Sequence, residues 1–241
     1  MQAQEYSKMF QLEDTHWWFS SKRNFAITLI SSLSSKSKKI LDIGCGTGRN
    51  LLMLNQLGQA SGVDISPLAL SFCRQRGLTR VKLGSADNLP FQSSQFDLVT
   101  IFDVLYHQGI KSDIKVIKEA FRVLKPGGYV LVTDCAYQWL FGPHDVVMQA
   151  RQRYPKSELI QKISREGFNI KRASYLFMFT FPIFALNRLL KKYFFFHSKS
   201  DVDYLSPWLN QLLLSITSLE NKLLKLFNLP FGSSIIILAQ K

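Results

Sequence analysis

The chain has 241 residues, 46% of them hydrophobic, and a formal net charge of +13. This length and apolar fraction predict one α/β domain with a full core, while three cysteines without a C-x-x-C pair argue against a disulfide framework or a metal site. Residues 151–200 carry eleven Lys and Arg against two acidic residues. This local excess indicates an anionic partner (a phosphate-bearing substrate, an anionic membrane surface or nucleic acid) or an ordinary solvated surface.

Strand and helix patterns alternate along the first two thirds of the chain, after an N-terminal helix predicted over 16–33. Strands are predicted near 39–43, 60–64, 80–84, 96–102 and 128–134. Helices are predicted near 48–57, 67–76, 112–123 and 156–166. Apolar strands that alternate with helices predict a parallel sheet with helices on both faces, where ligands bind outside the carboxyl ends of the strands.

The pattern changes after residue 168. A strand is predicted over 169–180 and a last strand over 234–239. About fifty residues lie between them, more than a hairpin needs, so 182–230 is predicted to be a helical insertion with a long helix near 206–227. The apolar run 175–186 is too short to span a bilayer, which takes about twenty residues.

A glycine loop follows the first predicted strand, with the sequence Ile-Leu-Asp-Ile-Gly-Cys-Gly-Thr-Gly over 40–48. Its three glycines alternate along the chain: Gly44, Gly46 and Gly48. Arg49 stands where the dinucleotide fingerprint has its third glycine, so the loop and Asp42 at the strand end suit a ligand with an amino-acid head. The segment resembles motif I of the class I S-adenosylmethionine (SAM) dependent methyltransferases. The resemblance implies that Asp42 and the three glycines bind SAM.

Asp64 ends the second predicted strand, and Ile65 follows it. A carboxylate at this position can accept both hydroxyls of a ribose, as in ribose-binding α/β folds. The alternative is an N-cap for the helix at 67–76, but Ser66 is better placed for that role. Asp64 and Ile65 are therefore interpreted as part of the cofactor site.

A third stretch, 84–91, reads Gly-Ser-Ala-Asp-Asn-Leu-Pro-Phe and resembles the adenine-binding loop Gly-Asp-Ala-Glu-x-Leu-Pro-Phe of the same family. The family usually has Asp where this chain has Ser85. Ser85 or Asp87 would then hydrogen-bond the adenine amino group, and the backbone N–H of Ala86 would serve in either case. With the turn Leu-Lys-Pro-Gly-Gly at 124–128, the resemblance covers residues 38–134 in order.

The fourth predicted strand ends at Phe102 and Asp103, next to the place where the methionine part of SAM should lie. His107 follows one helical turn later and is the candidate general base, because an imidazole titrates near neutrality. The alternative is a packed or capping histidine. His144 and Asp145 form a second candidate acid–base pair, with a helix start at Asp145 as the alternative.

The segment Glu-Asp-Thr-His-Trp-Trp-Phe at 13–19 resembles the N-terminal helix of a bacterial methyltransferase group associated with cell-surface glycan and lipid pathways, similar to ubiquinone-biosynthesis methyltransferases. The resemblance implies a lid over the cofactor, with Arg23 meeting the SAM carboxylate. The same group usually has His-x-Arg-Arg-Tyr where this chain has Ala-Arg-Gln-Arg-Tyr at 150–154. This departure puts the substrate in doubt.

The predicted insertion has two interpretations. Leucines recur at helical spacing near 186–190 and 209–226, which is typical of core packing. The aromatic run Phe194-Phe-Phe beside Lys191, Lys192 and Lys199 would instead suit an interfacial patch or the mouth for a lipid-linked substrate.

The resemblance implies a single SAM-dependent methyltransferase domain over 1–241, with N-terminal lid helices in 1–36, a SAM-binding core in 38–168 and the insertion in 182–230. Its fold would be a Rossmann-like, seven-stranded, mostly parallel sheet with an antiparallel last strand.

The expected cofactor is SAM, no metal is expected, and the expected acceptor is an oxygen of a small or lipid- or glycan-linked molecule. The alternatives are C-methylation of a quinone-like lipid and a SAM-fold protein that binds without turnover. Nucleic acid is favoured only by the charge. The N-terminus lacks the apolar core of a signal peptide, so a cytoplasmic location is expected, with peripheral membrane contact through 182–200.

Overall fold

A computed structural model describes residues 3–33, 38–193 and 204–241. In this part of the chain one seven-stranded sheet has the order β3-β2-β1-β4-β5-β7-β6. Its strands are β1 (Lys38–Ile43), β2 (Gly58–Asp64), β3 (Val81–Leu83), β4 (Phe96–Phe102), β5 (Leu124–Cys135), β6 (Asn169–Leu176) and β7 (Ser234–Gln240). β7 runs antiparallel to β5 and β6, and the other neighbours are parallel. The predicted mostly parallel sheet with an antiparallel last strand is confirmed.

Strand β1 lies at the point where the strand order reverses, paired with β2 on one side and β4 on the other. The register sets Asp42 level with Gly62 and Thr100. Loops that leave the carboxyl ends of β1 and β4 diverge here, and this crevice is where open α/β sheets bind ligands.

Helices cover both faces of the sheet. They are α1 (Ala3–Leu12), α2 (Trp17–Ile30), α3 (Arg49–Asn55), α4 (Pro67–Gln75), α5 (Asp113–Val123), α6 (Pro143–Val147), α7 (Lys156–Arg165), α8 (Phe181–Tyr193) and α9 (Pro207–Leu226). α5 and α7 bury Ile117 and Leu159 in one core, whereas α2, α3 and α9 contribute Phe25, Leu51 and Leu224 to the other. Ser112 is the N-cap of α5, since its side chain accepts a hydrogen bond from the Lys115 N–H.

Three features differ from the predicted elements. α1 precedes the predicted N-terminal helix, which begins at Trp17 and ends at Ile30. β6 ends at Leu176 instead of continuing to 180, because Phe177 has φ +65° and cannot extend a strand. β5 begins at Leu124, and the predicted turn residues form an irregularity within the strand, where pairing jumps from Leu124 to Tyr129.

The chain between β6 and β7 contains α8 and α9. α9 lies along α2, and the hydroxyls of Ser21 and Thr217 are 2.5 Å apart at their contact. The leucine stripe of α9 is only partly covered: Leu212, Leu219 and Leu226 are exposed, whereas the fully buried residues are Thr217, Glu220 and Leu224. The Phe194 aromatic run and Lys199 lie outside the described residues. No described helix is both long and apolar enough to cross a membrane.

Candidate active site

The glycine loop turns sharply from β1 into α3. Gly44, Gly46 and Gly48 have φ values of +72°, +53° and +89°, the region where a side chain is strained. The N–H groups of Gly44 and Cys45 both donate to the Val63 carbonyl at 2.8 and 3.1 Å, which ties the loop to the end of β2. At Gly48 the φ of +89° strains any other residue, and a Cβ would also lie 2.6 Å from Leu78 Cδ1, so the backbone turn itself requires this glycine.

A cavity of about 220 Å³ opens above this loop. It is lined by nine of the predicted site residues: Arg23, Gly44, Gly46, Asp64, Ile65, Ser85, Ala86, Phe102 and His107. Asp42, Gly48, Asp87, His144 and Asp145 are not in its lining. The structure therefore brings together residues from α2, β2, β4 and the loops after β1, β3 and β4.

Asp64 lies at the cavity wall with its carboxylate held by backbone. One oxygen accepts the Gly46 N–H at 2.9 Å and the other accepts the Ser66 N–H at 2.9 Å. Ser66 is the N-cap of α4, since its hydroxyl accepts the Ala69 N–H. The cap and the carboxylate are thus separate residues, as the sequence indicates. Each carboxylate oxygen has a second lone pair, so Asp64 retains acceptor capacity towards the cavity.

Asp42 lies beneath the glycine loop and not at the cavity surface. Its Oδ1 accepts the Thr100 hydroxyl at 2.7 Å, while its buried Oδ2 has no hydrogen-bond partner among the described residues. Burial raises the pKa of Asp42 to about 7, and the nearby Asp64 carboxylate adds to the rise. A cation or a bound water above the loop would satisfy the second oxygen.

Ser85 and Asp87 hydrogen-bond each other in the loop after β3. The Ser85 hydroxyl donates to Asp87 Oδ1 at 2.5 Å, and Ser85 and Ala86 face the cavity while Asp87 does not. The carboxylate that could substitute for the family's usual Asp is therefore engaged by Ser85. This arrangement leaves Ser85 and the Ala86 backbone as the groups at the cavity wall.

Helices α1 and α2 close the cavity from above. The turn between them is held to the glycine loop: Glu13 accepts a hydrogen bond from Thr47 and pairs with Arg76 at 2.9 Å, and Asp14 pairs with Arg49 at 2.5 Å. The family resemblance implies a lid here. The contacts that hold it could not be predicted, because the partners are up to 63 positions apart in the sequence. Arg49, directly after the glycine loop, is the sequence signal that could have suggested its contact with Asp14.

Arg23 is buried in the cavity wall. Its Nη2 donates to the Glu13 carbonyl at 2.5 Å and to the Ser20 hydroxyl at 3.1 Å, and among the described residues no carboxylate forms an ion pair with it. Burial, with the neighbouring Arg49, lowers the pKa of Arg23 to about 10. A positive charge in this setting favours a bound anion.

Lys22, the residue before Arg23 on α2, forms an ion pair with Asp103 in the cavity lining that sequence reasoning missed. Lys22 Nζ lies 2.6 Å from both carboxylate oxygens of Asp103 and 4.1 Å from the centre of the Trp18 ring. Asp103 has φ +56°, a strained conformation that aims its side chain into the cavity. Below it, burial together with the Asp103 charge raises the pKa of Asp134 well above its ordinary value.

His107 reaches the cavity with a defined hydrogen bond. Its Nδ1 accepts the Gly109 N–H at 3.0 Å, and burial lowers the pKa of the imidazole below its usual 6.5. The ring is then neutral at pH 7. With the lone pair on Nδ1, the proton of the neutral ring is on Nε2, which is a donor in this tautomer.

His144 and Asp145 lie outside the cavity lining, unlike His107. Asp145 is 2% exposed, accepts the Gly142 N–H at 2.8 Å at the start of α6, and pairs with Arg153 at 2.8 Å and Arg188 at 3.1 Å. Its carboxylate is consumed by the helix start and two guanidinium groups, so the alternative of a helix start describes it. Within the described residues no cluster of three His, Cys, Asp or Glu side chains could hold a metal ion.

Comparison with known proteins assigns one segment of the chain to a family. The methyltransferase domain family matches residues 41–132, which contain the glycine loop and strands β1 to β5. Residues 41–132 are a class I SAM-dependent methyltransferase domain. SAM is therefore the cofactor that the domain implies.

Curated relatives of the methyltransferase domain include the demethylmenaquinone methyltransferase of Geobacillus sp. (strain WCH70), 36% identical over 117 residues. The alignment covers 44% of this chain and 49% of that protein, so the chain spans about half the length of this relative.

Two solved structures share the fold. One is a SAM-dependent methyltransferase of Thermotoga maritima, described as a possible histamine N-methyltransferase, with a TM-score of 0.64 and 19% identity over 99% of this chain and 95% of that one. The other is a (4+2)-cyclase, with a TM-score of 0.57 and 20% identity over 91% and 80%.

Proposed function

We propose that the methyltransferase domain transfers the methyl group of SAM to an oxygen of a small or lipid- or glycan-linked acceptor. The observation that carries the proposal is the convergence in one cavity of the Asp64 carboxylate, the Arg23 guanidinium and the glycine loop. These three groups are complementary to a ribose, a carboxylate and an amino-acid head, which are the polar parts of SAM.

The cofactor half of the cavity fits SAM by its hydrogen-bond capacity. The unused lone pairs of Asp64 suit two ribose hydroxyls, and Arg23 offers donors to a carboxylate. The unsatisfied Oδ2 of Asp42 lies outside the cavity lining, so it would meet an ammonium group through a bridging water. Ser85, Ala86 and Ile65 would contact the adenosine portion.

SAM supplies an activated methyl group, so the chain must orient the acceptor oxygen and handle its proton. The wall that carries Phe102, His107 and the Lys22–Asp103 pair is available for this task. Lys22 and Asp103 neutralise each other at 2.6 Å, so they are suited to positioning a polar acceptor.

His107 has two roles in the proposal. As the general base it must accept a proton on Nε2. Nε2 has a free lone pair only in the other tautomer, in which the proton is on Nδ1, so the hydrogen bond from the Gly109 N–H to Nδ1 must first be lost. In the tautomer of the structure it donates from Nε2 to the acceptor oxygen or a neighbouring group. The observed hydrogen bond favours the donor role.

Two further functions have support. C-methylation of a quinone-like lipid is favoured by the similarity to a demethylmenaquinone methyltransferase. Binding of SAM without methyl transfer is favoured by the cyclase with the same fold, because that fold occurs in a protein named for a different reaction. A nucleic acid acceptor has no support beyond the basic charge of the chain.

The test combines SAM binding with product detection. Calorimetry should show SAM binding, and incubation with SAM that carries a deuterated methyl group should label a component of a lipid or polar extract, with fragmentation in mass spectrometry locating the label on oxygen or carbon. Label on carbon would support the quinone-like alternative. Binding without label in any fraction would support the binding protein, and absence of SAM binding would contradict both.

A further inference from the structure

Helix α8 has its polar and apolar sides reversed. Arg188 on this helix is only 6% exposed because its Nη1 pairs with Asp145 at 3.1 Å and its guanidinium lies over the Phe184 ring. On the other side of the same helix Ile183 is 76% exposed and Leu186 is 58% exposed. A surface helix in water normally covers its aliphatic residues and exposes its arginine. The reversal indicates that the outer side of α8 meets an apolar medium.

The first turns of α9 show a second apolar surface. Trp208 is 70% exposed and Tyr204, just before the helix, is 68% exposed, with Leu205 and Leu212 also exposed. Thr217 and Glu220 on the same helix are buried. We call the exposed residues of the two helices the apolar rim: Ile183, Leu186, Leu190, Tyr204, Leu205, Trp208 and Leu212.

The helices that carry the apolar rim begin near the carboxyl ends of the strands, the edge at which the cavity opens. Phe181 at the start of α8 contacts the rings of Tyr137 and Trp139, which follow the carboxyl end of β5. At the other side the Asn210 side chain joins the Thr15 carbonyl and the Trp17 N–H, and Tyr204 donates to Gln11 on α1 at 2.8 Å. These contacts place the start of α9 against α1 and α2, which close the cavity, and the start of α8 beside the chain that follows the carboxyl end of β5.

We infer that the apolar rim docks on the surface of an anionic phospholipid bilayer, with α8 and the start of α9 lying in the interface. Three observations support a bilayer. The outer sides are apolar, Lys191 and Lys192 follow Leu190 directly in the sequence, and the net charge of +13 complements anionic headgroups. A second copy of the chain would bring two strongly basic segments together, which electrostatic repulsion disfavours.

Docking in this orientation would turn the cavity towards the bilayer. An acceptor carried on a lipid could then enter without leaving the membrane, which rests on the proposed methyl transfer. The bilayer contact itself does not depend on methyl transfer, so the two can fail separately.

Vesicle flotation tests the docking. Wild-type chain is mixed with vesicles of phosphatidylcholine alone or with about one quarter phosphatidylglycerol at about 0.1 M salt. The rim variant carries Leu186→Ser, Leu190→Ser and Trp208→Ser. The control carries Leu219→Ser and Leu226→Ser, which change leucines that are also exposed but lie farther along α9, outside the apolar rim.

The wild type and the control should float with the anionic vesicles, while the rim variant should partition at least roughly tenfold less. SAM binding by calorimetry should be the same in all three, which excludes misfolding of the rim variant. Failure of the wild type to bind anionic vesicles, or equal losses in the rim and control variants, would overturn the inference. A concentration-dependent dimer that only the rim variant abolishes, without vesicle binding, would assign the face to a second copy instead.

Discussion

Replacing Asp42 by Asn should raise the unfolding free energy of the variant relative to that of the wild type as the pH rises. Asp42 is 1% exposed, and burial raises its pKa from 3.8 to about 7. A raised pKa in the folded state means that the stability linked to the protonated form is complete below pH 3.8 and is lost as the pH rises to about 7. Asn cannot ionise, so the variant lacks this loss.

The magnitude follows from the shift. At about 1.4 kcal/mol per pKa unit, the ionisation of buried Asp42 costs roughly 4 kcal/mol above pH 7, of which about 1.5 kcal/mol is already lost near pH 5. The difference in unfolding free energy between variant and wild type should therefore grow by about 3 kcal/mol between about pH 5 and about pH 8.5. Asn brings a buried N–H₂ without a partner, which costs about 1–3 kcal/mol equally at each pH.

Urea denaturation of both proteins at several pH values measures this difference. Asp97→Asn is the control of opposite sign: burial would raise the pKa of Asp97, but Lys125 and the Lys39 N–H outweigh it and lower the pKa. The stability that Asp97 contributes is present above its ordinary pKa and is lost at lower pH. The unfolding free energy of Asp97→Asn should therefore fall furthest below that of the wild type at neutral pH. An Asp42→Asn difference that does not change with pH would refute the assignment of a buried, partly protonated carboxyl beneath the glycine loop.

Four further predictions concern the cavity. Asp64→Asn should weaken SAM binding in calorimetry by roughly tenfold or more, whereas Ser66→Ala should cost about 1 kcal/mol of stability and leave SAM affinity unchanged. Arg23→Gln should weaken binding of SAM but not of decarboxylated SAM, and equal losses would exclude a carboxylate contact. His107→Gln should retain turnover if His107 donates from Nε2, since the Gln amide can replace that N–H, while His107→Ala should lose roughly a hundredfold; equal loss in both would identify a base. Lys22→Met should reduce kcat/KM and stability together, and the double change with Asp103→Asn should recover about 1–3 kcal/mol of unfolding free energy.

The local backbone of the cofactor site could be predicted from the sequence. Alternate glycines at 44, 46 and 48 predict a tight turn because each adopts a positive φ that other residues resist. Ser66 before Pro67 predicts the start of α4 in the same way, since a hydroxyl there can accept an orphan N–H. With Ser66 as the cap, the sequence leaves Asp64 for a ligand role; the structure places it at the cavity and also shows it holding the Gly46 and Ser66 N–H groups.

The contacts across the chain could not be predicted in this way. Lys22 meets Asp103 across 81 positions, and nothing in the pattern of α2 distinguishes Lys22 from a solvated lysine. The sequence around Asp145 fits both a catalytic acid and a helix start, and its ion pairs with Arg153 and Arg188 are visible only in the structure.

The sequence by itself determined the alternation of strands and helices, the glycine loop and hence the cofactor, because periodicity and residue-specific backbone preferences act over a few neighbouring positions. The tertiary structure alone decided which face of each helix is covered and which charges meet. α8 shows the reason: its leucines and its arginine follow ordinary helical spacing, and only the position of Asp145 in space turns the arginine inward and leaves Ile183 and Leu186 exposed.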